Sequence, residues 1–200
     1  MKKENKKEKM REIRDEILSL KNSPLYKYRL ENKYHPVIGQ GSHDADILFI
    51  GEAPGENEAK TGIPFCGASG KFLDELLLHI GLPREEVYIA NILKDRPPQN
   101  RDPHPAEIEI YAPFLLRQIE IIKPKVIATL GRFAMEYIMN KFGLTESITK
   151  ITDMHGKVYE AKGPGGTVKI VALFHPAVAI YNAGNKTELK KDFEVLKSLI

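Results

Sequence analysis

Apolar residues along this 200-residue chain recur in two rhythms, one helical and one of short continuous runs. Ile13, Ile17, Leu18 and Leu20 keep helical spacing to about residue 21, where Asn22-Ser23-Pro24 stops the helix. A polar stretch with tyrosines but no clear period follows to about Asp44. Regular alternation then begins. The pattern predicts a strand over 46–50, a glycine-rich loop, and a helix capped by Ser69 that turns Phe72, Leu73, Leu76, Leu77 and Ile80 inward before Gly81-Leu82-Pro83 ends it. Further strands are expected over 87–93 and 126–130 and further helices over 105–122 and 133–142, with a loop dense in proline and charge at 95–105. Segments 156–160 and 168–173 flank Gly163-Pro164-Gly165-Gly166, which predicts a hairpin before the last core strand, and 188–200 reads as a closing amphipathic helix. Strands without polar alternation, separated by helices, mean an α/β fold around a mainly parallel sheet buried on both faces.

Composition narrows the class. With 42% hydrophobic residues, the chain can bury a proper core as a single domain over 1–200, residues 1–21 forming a charged N-terminal helix. No apolar run is long enough to span a bilayer, and the lysine-rich start lacks the apolar stretch of a secretion signal, so the expected location is the cytoplasm, without membrane association. The single cysteine, Cys66, rules out an internal disulfide and any metal or iron-sulfur site built from several thiolates of this chain. A net charge of +3 is compatible with a polyanionic partner but only weakly diagnostic, and the alternating lysines and glutamates at the start read as a solvated helix face.

The densest chemistry follows the first strand. Gly51-Glu52-Ala53-Pro54-Gly55 and then Gly62-Ile63-Pro64-Phe65-Cys66-Gly67-Ala68-Ser69-Gly70 bring bare backbone to the carboxyl edge of a parallel sheet, where open α/β folds bind ligands. Glu52 and His175 each follow a predicted strand and Asn91 lies near the end of one, so one rim gathers them. Asn91 offers a donor and an acceptor, as the imide edge of a pyrimidine requires; His175 can donate to an oxygen that gains negative charge; Phe65 supplies a flat face for stacking. No Gly-Lys-Ser/Thr signature follows a strand, which removes P-loop phosphotransfer.

Several separated motifs carry a family resemblance: residues 51–70, Asn91-Ile92-Leu93-Lys94-Asp95-Arg96-Pro97-Pro98, Asn100-Arg101-Asp102-Pro103, Pro113-Phe114-Leu115, Leu130-Gly131 and His175-Pro176-Ala177. From about Ser23 to the C-terminus the chain resembles the family 4 branch of the uracil-DNA glycosylase superfamily. The resemblance implies a three-layer α/β/α sandwich and a monofunctional DNA glycosylase that acts on a flipped nucleotide in damaged DNA, single- or double-stranded, as a monomer. Glu52, Asn91 and His175 would be catalytic, and Gly51, Ala53, Phe65, Asn91 and His175 would bind the base. Ala53 stands where other branches carry a water-activating aspartate, so catalysis would rest on charge stabilisation. Gly55, Ser69, Lys71, Arg96, Arg101 and Asn182, with Lys186, are candidate DNA contacts, and Val178-Ala179-Ile180-Tyr181 is an apolar tip suited to wedging the duplex, with Ile180 and Tyr181 at its end.

The same comparison exposes a departure. Family 4 members hold an iron-sulfur cluster through four cysteines, and the corresponding positions here are Leu20, Ser23, Asp95 and Tyr111. No thiolate stands at any of them, so no cofactor and no metal are expected, and packing, with Tyr111 filling vacated volume, should hold the N-terminal segment and the 95–105 loop. The base preference stays open between uracil and another deaminated base, hypoxanthine or xanthine. A non-catalytic nucleic-acid-binding relative and a small-molecule nucleotide hydrolase are the other readings. Cys66 reads as a small buried hydrophobe, His104 as solvated loop, His155 as structural, and Glu56 and Glu58 as residues of the pocket mouth.

Overall fold

A computed structural model describes residues 3–181 and 184–199. In chain order it contains α1 (Lys3–Leu18), α2 (Tyr26–Glu31), β1 (Gln40–Gly41), β2 (Ile47–Gly51), α3 (Glu56–Thr61), α4 (Ala68–His79) and β3 (Tyr88–Asn91). The second half adds α5 (Pro105–Ile122), β4 (Val126–Leu130), α6 (Arg132–Lys141), α7 (Ile151–Met154), β5 (Val158–Gly163), β6 (Gly166–Leu173), α8 (Val178–Tyr181) and α9 (Gly184–Lys197).

The strands form one sheet in the order β1-β3-β2-β4-β6-β5. β3, β2, β4 and β6 run parallel, while the edge strands β1 and β5 are antiparallel to β3 and β6. The alternating side chains of each strand feed two separate cores. Leu48 and Ile50 of β2 pack with residues of α1, α5 and α6, whereas Ile47 and Phe49 pack with residues of α4 and α9. Two apolar clusters on opposite faces of one sheet make the three-layer α/β/α sandwich.

The short elements α2, β1 and α3 went unpredicted because two to six residues are too few to display a period. α1 ends at Leu18, short of residue 21, and the Arg29 guanidinium takes up the final carbonyls of Ile17 and Leu18. β3 stops at Asn91: the N–H groups of Ile92 and Leu93 still reach Gly51 and Glu52 carbonyls at 3.0 Å, but the strand geometry is lost. The expected Ser69 cap is corrected, since Gly67 is the N-cap of α4 and Ser69 lies inside the first turn. The last helix begins at Gly184 and ends at Lys197, four residues ahead of its expected start.

Candidate active site

The connection from β2 leads to β3 on one side, whereas the path out of β4 leads to β6 on the other. The carboxyl ends of these strands therefore border the crevice at which open parallel sheets take ligands. A cleft of about 150 Å³ lies there, lined by Ala53, Gly55, Glu58, Phe65, Ser69, Asn91 and His175. A larger hollow of about 310 Å³ sits at the amino ends of β2 and β3, but its walls include Asp44, Asp46, Glu85 and Glu86, an arrangement that repels polyanions.

Gly51 pairs with Asn91 across β2 and β3, and both are buried. Asn91 Oδ1 is enclosed and has no hydrogen-bond partner among the described residues. A buried acceptor left open in a cleft wall is complementary to an N–H donor on a ligand. The Lys94 side chain, wholly buried, supports this strand end: its Nζ donates to the Asn91 carbonyl at 2.9 Å, to Gln118 Oε1 at 2.7 Å and to the Ile38 carbonyl at 3.3 Å. Burial lowers the Lys94 pKa to about 7.

Phe65 adopts a left-handed backbone (φ +48°), a conformation that costs a non-glycine residue energy and is found where surroundings enforce it. Its carbonyl lies against Gly70, where an added Cβ would come within 1.8 Å of it. Glu58 supplies the other constraint. Its Oε1 accepts the N–H groups of Cys66 and Gly67, each at 3.0 Å, so one carboxylate holds the chain between Phe65 and the start of α4. Glu58 was expected only at the pocket mouth; its clamp depends on α3, which leaves no periodic signal. Cys66, expected to be a small buried hydrophobe, is half-buried, with Sγ 3.3 Å from the Thr61 hydroxyl.

The His175 ring faces Phe65, with centroids 5.6 Å apart. Its Nδ1 accepts the Ala177 N–H at 3.1 Å, and burial lowers its pKa to about 4 against a small opposing pull from Glu58. The ring is therefore neutral at pH 7, and with Nδ1 as acceptor its proton resides on Nε2. Gly131, at φ +94°, leaves room for it: a Cβ there would lie 3.2 Å from His175 Cβ.

Glu52 stands apart from the residues lining the cleft. It is half-buried one residue beyond β2, and its pKa is raised to about 7, first by burial and then by Asp102, against the pull of Arg132.

Among the candidate DNA contacts, Gly55 and Ser69 line the cleft, and Lys71 is exposed on the first turn of α4. Arg96 is buried and committed within the protein: Nε donates to Asn100 Oδ1 and Nη1 to the Tyr34 hydroxyl, both at 2.8 Å. Arg101 grips Glu107 through two nitrogens. Ile180 is exposed in α8, and Lys186 lies over the Phe72 ring at 5.4 Å. Tyr181 ends α8, and Asn182 lies outside the described residues. His104 is an exposed loop residue whose N–H donates to Glu107 at the start of α5; His155 bonds Asp192 at 2.8 Å and stacks on Phe174.

The four positions implied for an iron-sulfur cluster do not fit one. Ser23, Tyr111 and Asp95 are hydrogen-bonded in a row, the partly buried Leu20 packs against the apolar core, and none offers the thiolate that cluster iron requires. Among the described residues no group of three or more His, Cys, Asp or Glu side chains is arranged to hold a metal ion, and no helix is long and apolar enough to cross a membrane.

Residues 38–197 match the family model described as the Uracil DNA glycosylase superfamily. The chain is 45% identical over 192 residues to a type-4 uracil-DNA glycosylase of Archaeoglobus fulgidus, covering 96% of this chain and 94% of that protein. A type-4 uracil-DNA glycosylase of Sulfurisphaera tokodaii is 42% identical, with 95% of this chain and 84% of that protein aligned. A type-5 uracil-DNA glycosylase of Pyrobaculum aerophilum is 29% identical over 82% of this chain and 76% of that protein.

Proposed function

Because the chain belongs to the uracil DNA glycosylase superfamily, we propose that it is a monofunctional DNA glycosylase that excises uracil from damaged DNA in base excision repair. The observation that carries this reading is the unpartnered, buried Asn91 Oδ1 in a cleft shared with Phe65 and His175. A flipped uracil presents an N–H flanked by carbonyls, and an amide answers it with one acceptor and one donor. Phe65 supplies the stacking face, and its strained backbone, clamped by Glu58 and Gly70, fixes that face in advance.

Breaking the N-glycosidic bond leaves an oxocarbenium-like sugar and an anionic base. In this reading His175 donates from Nε2 to the pyrimidine O2 as charge develops there; its low pKa keeps it a neutral donor that does not protonate the base outright. Glu52, outside the base cleft, is the carboxylate that faces the sugar, and as an anion it stabilises the cationic side of the transition state. Ala53 offers no base to activate water, so charge stabilisation carries the rate. Among the described residues that line the cleft none carries an amine; in this reading the bond is hydrolysed without a Schiff base and hence without strand cleavage by the enzyme itself. The exposed Ile180 on its short helix suits a wedge that holds the gap left by the flipped base. One cleft handles one nucleotide, so the working unit in this reading is a monomer, in the cytoplasm with the DNA it repairs, and without a metal or cluster.

The test is incubation with oligonucleotides carrying uracil, hypoxanthine or xanthine, single- and double-stranded, followed by alkaline cleavage of abasic sites. Scission at uracil is expected. Scission at hypoxanthine or xanthine with none at uracil would move the assignment to another deaminated base, and no release from any substrate would overturn the enzymatic reading.

A further inference from the structure

One buried polar network joins segments far apart in sequence. The Leu25 N–H donates to Ser23 Oγ at 3.1 Å, Ser23 donates to the Tyr111 hydroxyl at 2.6 Å, and Tyr111 donates to Asp95 Oδ2 at 2.5 Å. Arg29 completes it, reaching both Asp95 oxygens at 3.2 Å and the Ile17 and Leu18 carbonyls at the end of α1. Arg29 is 5% exposed and Asp95 1%. An ion pair so deeply enclosed loses much of its Coulomb energy to desolvation; what it supplies best is a unique arrangement of the elements it joins.

Three of its members, Ser23, Asp95 and Tyr111, stand where the family resemblance puts cluster cysteines, and Leu20, the fourth position, packs on the adjoining core. The network also begins the 95–105 loop. Next along the chain, Arg96 is fastened to Tyr34 and to Asn100, and Gln99 and Asn100 both hold left-handed backbone at φ +56° and +53°. Consecutive left-handed residues persist only where neighbours over-determine them. On the other side of Asp95 lies Lys94, whose ammonium supports the Asn91 carbonyl.

We propose that the Arg29–Asp95–Tyr111–Ser23 network is a metal-free joint that takes the place of an iron-sulfur cluster in this chain and sets the position of the 95–105 loop, whose exposed Gln99 offers an amide to phosphate, against DNA. The proposal rests on the glycosylase reading for its DNA clause only. Asp95 and Arg29 are positioning residues: they act through the loop and touch no substrate.

Two sets of variants test it. Asp95→Asn leaves Arg29 buried and unbalanced, and the expected fall in Tm is about 10 °C. KM for a uracil oligonucleotide should rise about tenfold, the equivalent of one weakened contact, with kcat within about twofold. A purely structural role would lower Tm and leave KM unchanged, and that result overturns the DNA clause. The chain carrying Leu20→Cys, Ser23→Cys, Asp95→Cys and Tyr111→Cys should, after anaerobic treatment with ferrous iron and sulfide, bind about four irons and gain visible absorbance, while the native chain stays colourless. A folded quadruple variant that takes up no iron, or a native chain purified anaerobically with stoichiometric iron, overturns the replacement. If the quadruple variant fails to fold, Arg29→Met against Arg29→Met/Asp95→Leu decides: the double variant should recover most of the Tm lost in the single one, and no recovery refutes the joint. Should the native chain release no base at all, the glycosylase reading fails while iron uptake and Tm still report on the joint.

Discussion

Gly51 and Asn91 interlock across the two parallel strands that open the cleft: a Cβ on Gly51 would lie 2.4 Å from Asn91 Oδ1 and 2.9 Å from the Phe65 ring. One methyl group at position 51 therefore displaces both groups that would hold a base. Both obstacles are side chains, so the fold can yield. Gly51→Ala is expected to retain its circular dichroism and to lose about a hundredfold in kcat/KM on uracil DNA, the cost of misplacing positioned groups by about an ångström.

His175 carries a separate expectation. Removing one donor from a developing anion costs about a hundredfold to a thousandfold in kcat, and His175→Ala should show that loss with KM little changed. Its folded pKa, about 4, lies below the ordinary 6.5, so the unfolded chain takes up its proton first as pH falls. The stability His175 contributes is full above pH 6.5 and is lost as pH drops through that value toward 4. Tm measured from pH 7.5 to 4 should decline less steeply in His175→Gln than in the native chain.

Glu52 gives the opposite slope. Its folded pKa, about 7, lies above the ordinary 4.5, so the folded chain retains a proton that the unfolded chain has released, and the Glu52 contribution to stability fades as pH rises from 4.5 through 7. In the proposed mechanism catalysis needs the anion, so single-turnover base release should climb through pH 7 and level off. Glu52→Gln should abolish that rise, lower the plateau rate and gain Tm relative to the native chain at pH 8. A pH profile of the variant parallel to that of the native chain would assign the titration elsewhere, Lys94 being the buried group with a similar pKa.

The clamp on Phe65 can be read kinetically. Glu58→Ala leaves the N–H groups of Cys66 and Gly67 without their acceptor, a loss of about 1–3 kcal/mol, and frees Phe65 to leave its left-handed conformation. The expected result is a KM about tenfold higher with a smaller change in kcat. Glu58→Gln keeps a carbonyl acceptor and should recover much of the loss.

Gly70→Ala tests the same loop from the helix side. The obstacle is now the backbone carbonyl of Phe65, which cannot rotate away as a side chain can. This variant should lose stability as well as activity, with Tm in a thermal melt falling by about 5 °C or more.

Much of the architecture was legible along the chain because buried parallel strands write themselves as continuous apolar runs. Residues 46–50 and 126–130 could face only two covered surfaces, and the helices between them forced parallel pairing. Asn91 and His175 were legible for the same reason, since a polar residue at the end of an apolar strand lies at the rim. Glu58 was harder: its role depends on a six-residue helix and on contacts eight and nine residues away, which leave no period.

By itself the amino-acid sequence determined the α/β class, the strand ends at which chemistry could gather, and the lack of thiolates for a cluster, because hydrophobic periodicity and residue inventory are local properties. Tertiary structure alone decided that Glu52 stands outside the cleft shared by Asn91, Phe65 and His175, that Arg96 is consumed within the protein, and that Arg29 finds Asp95. Those outcomes depend on distances between side chains remote in sequence, and burial, not sequence spacing, selects which charges meet.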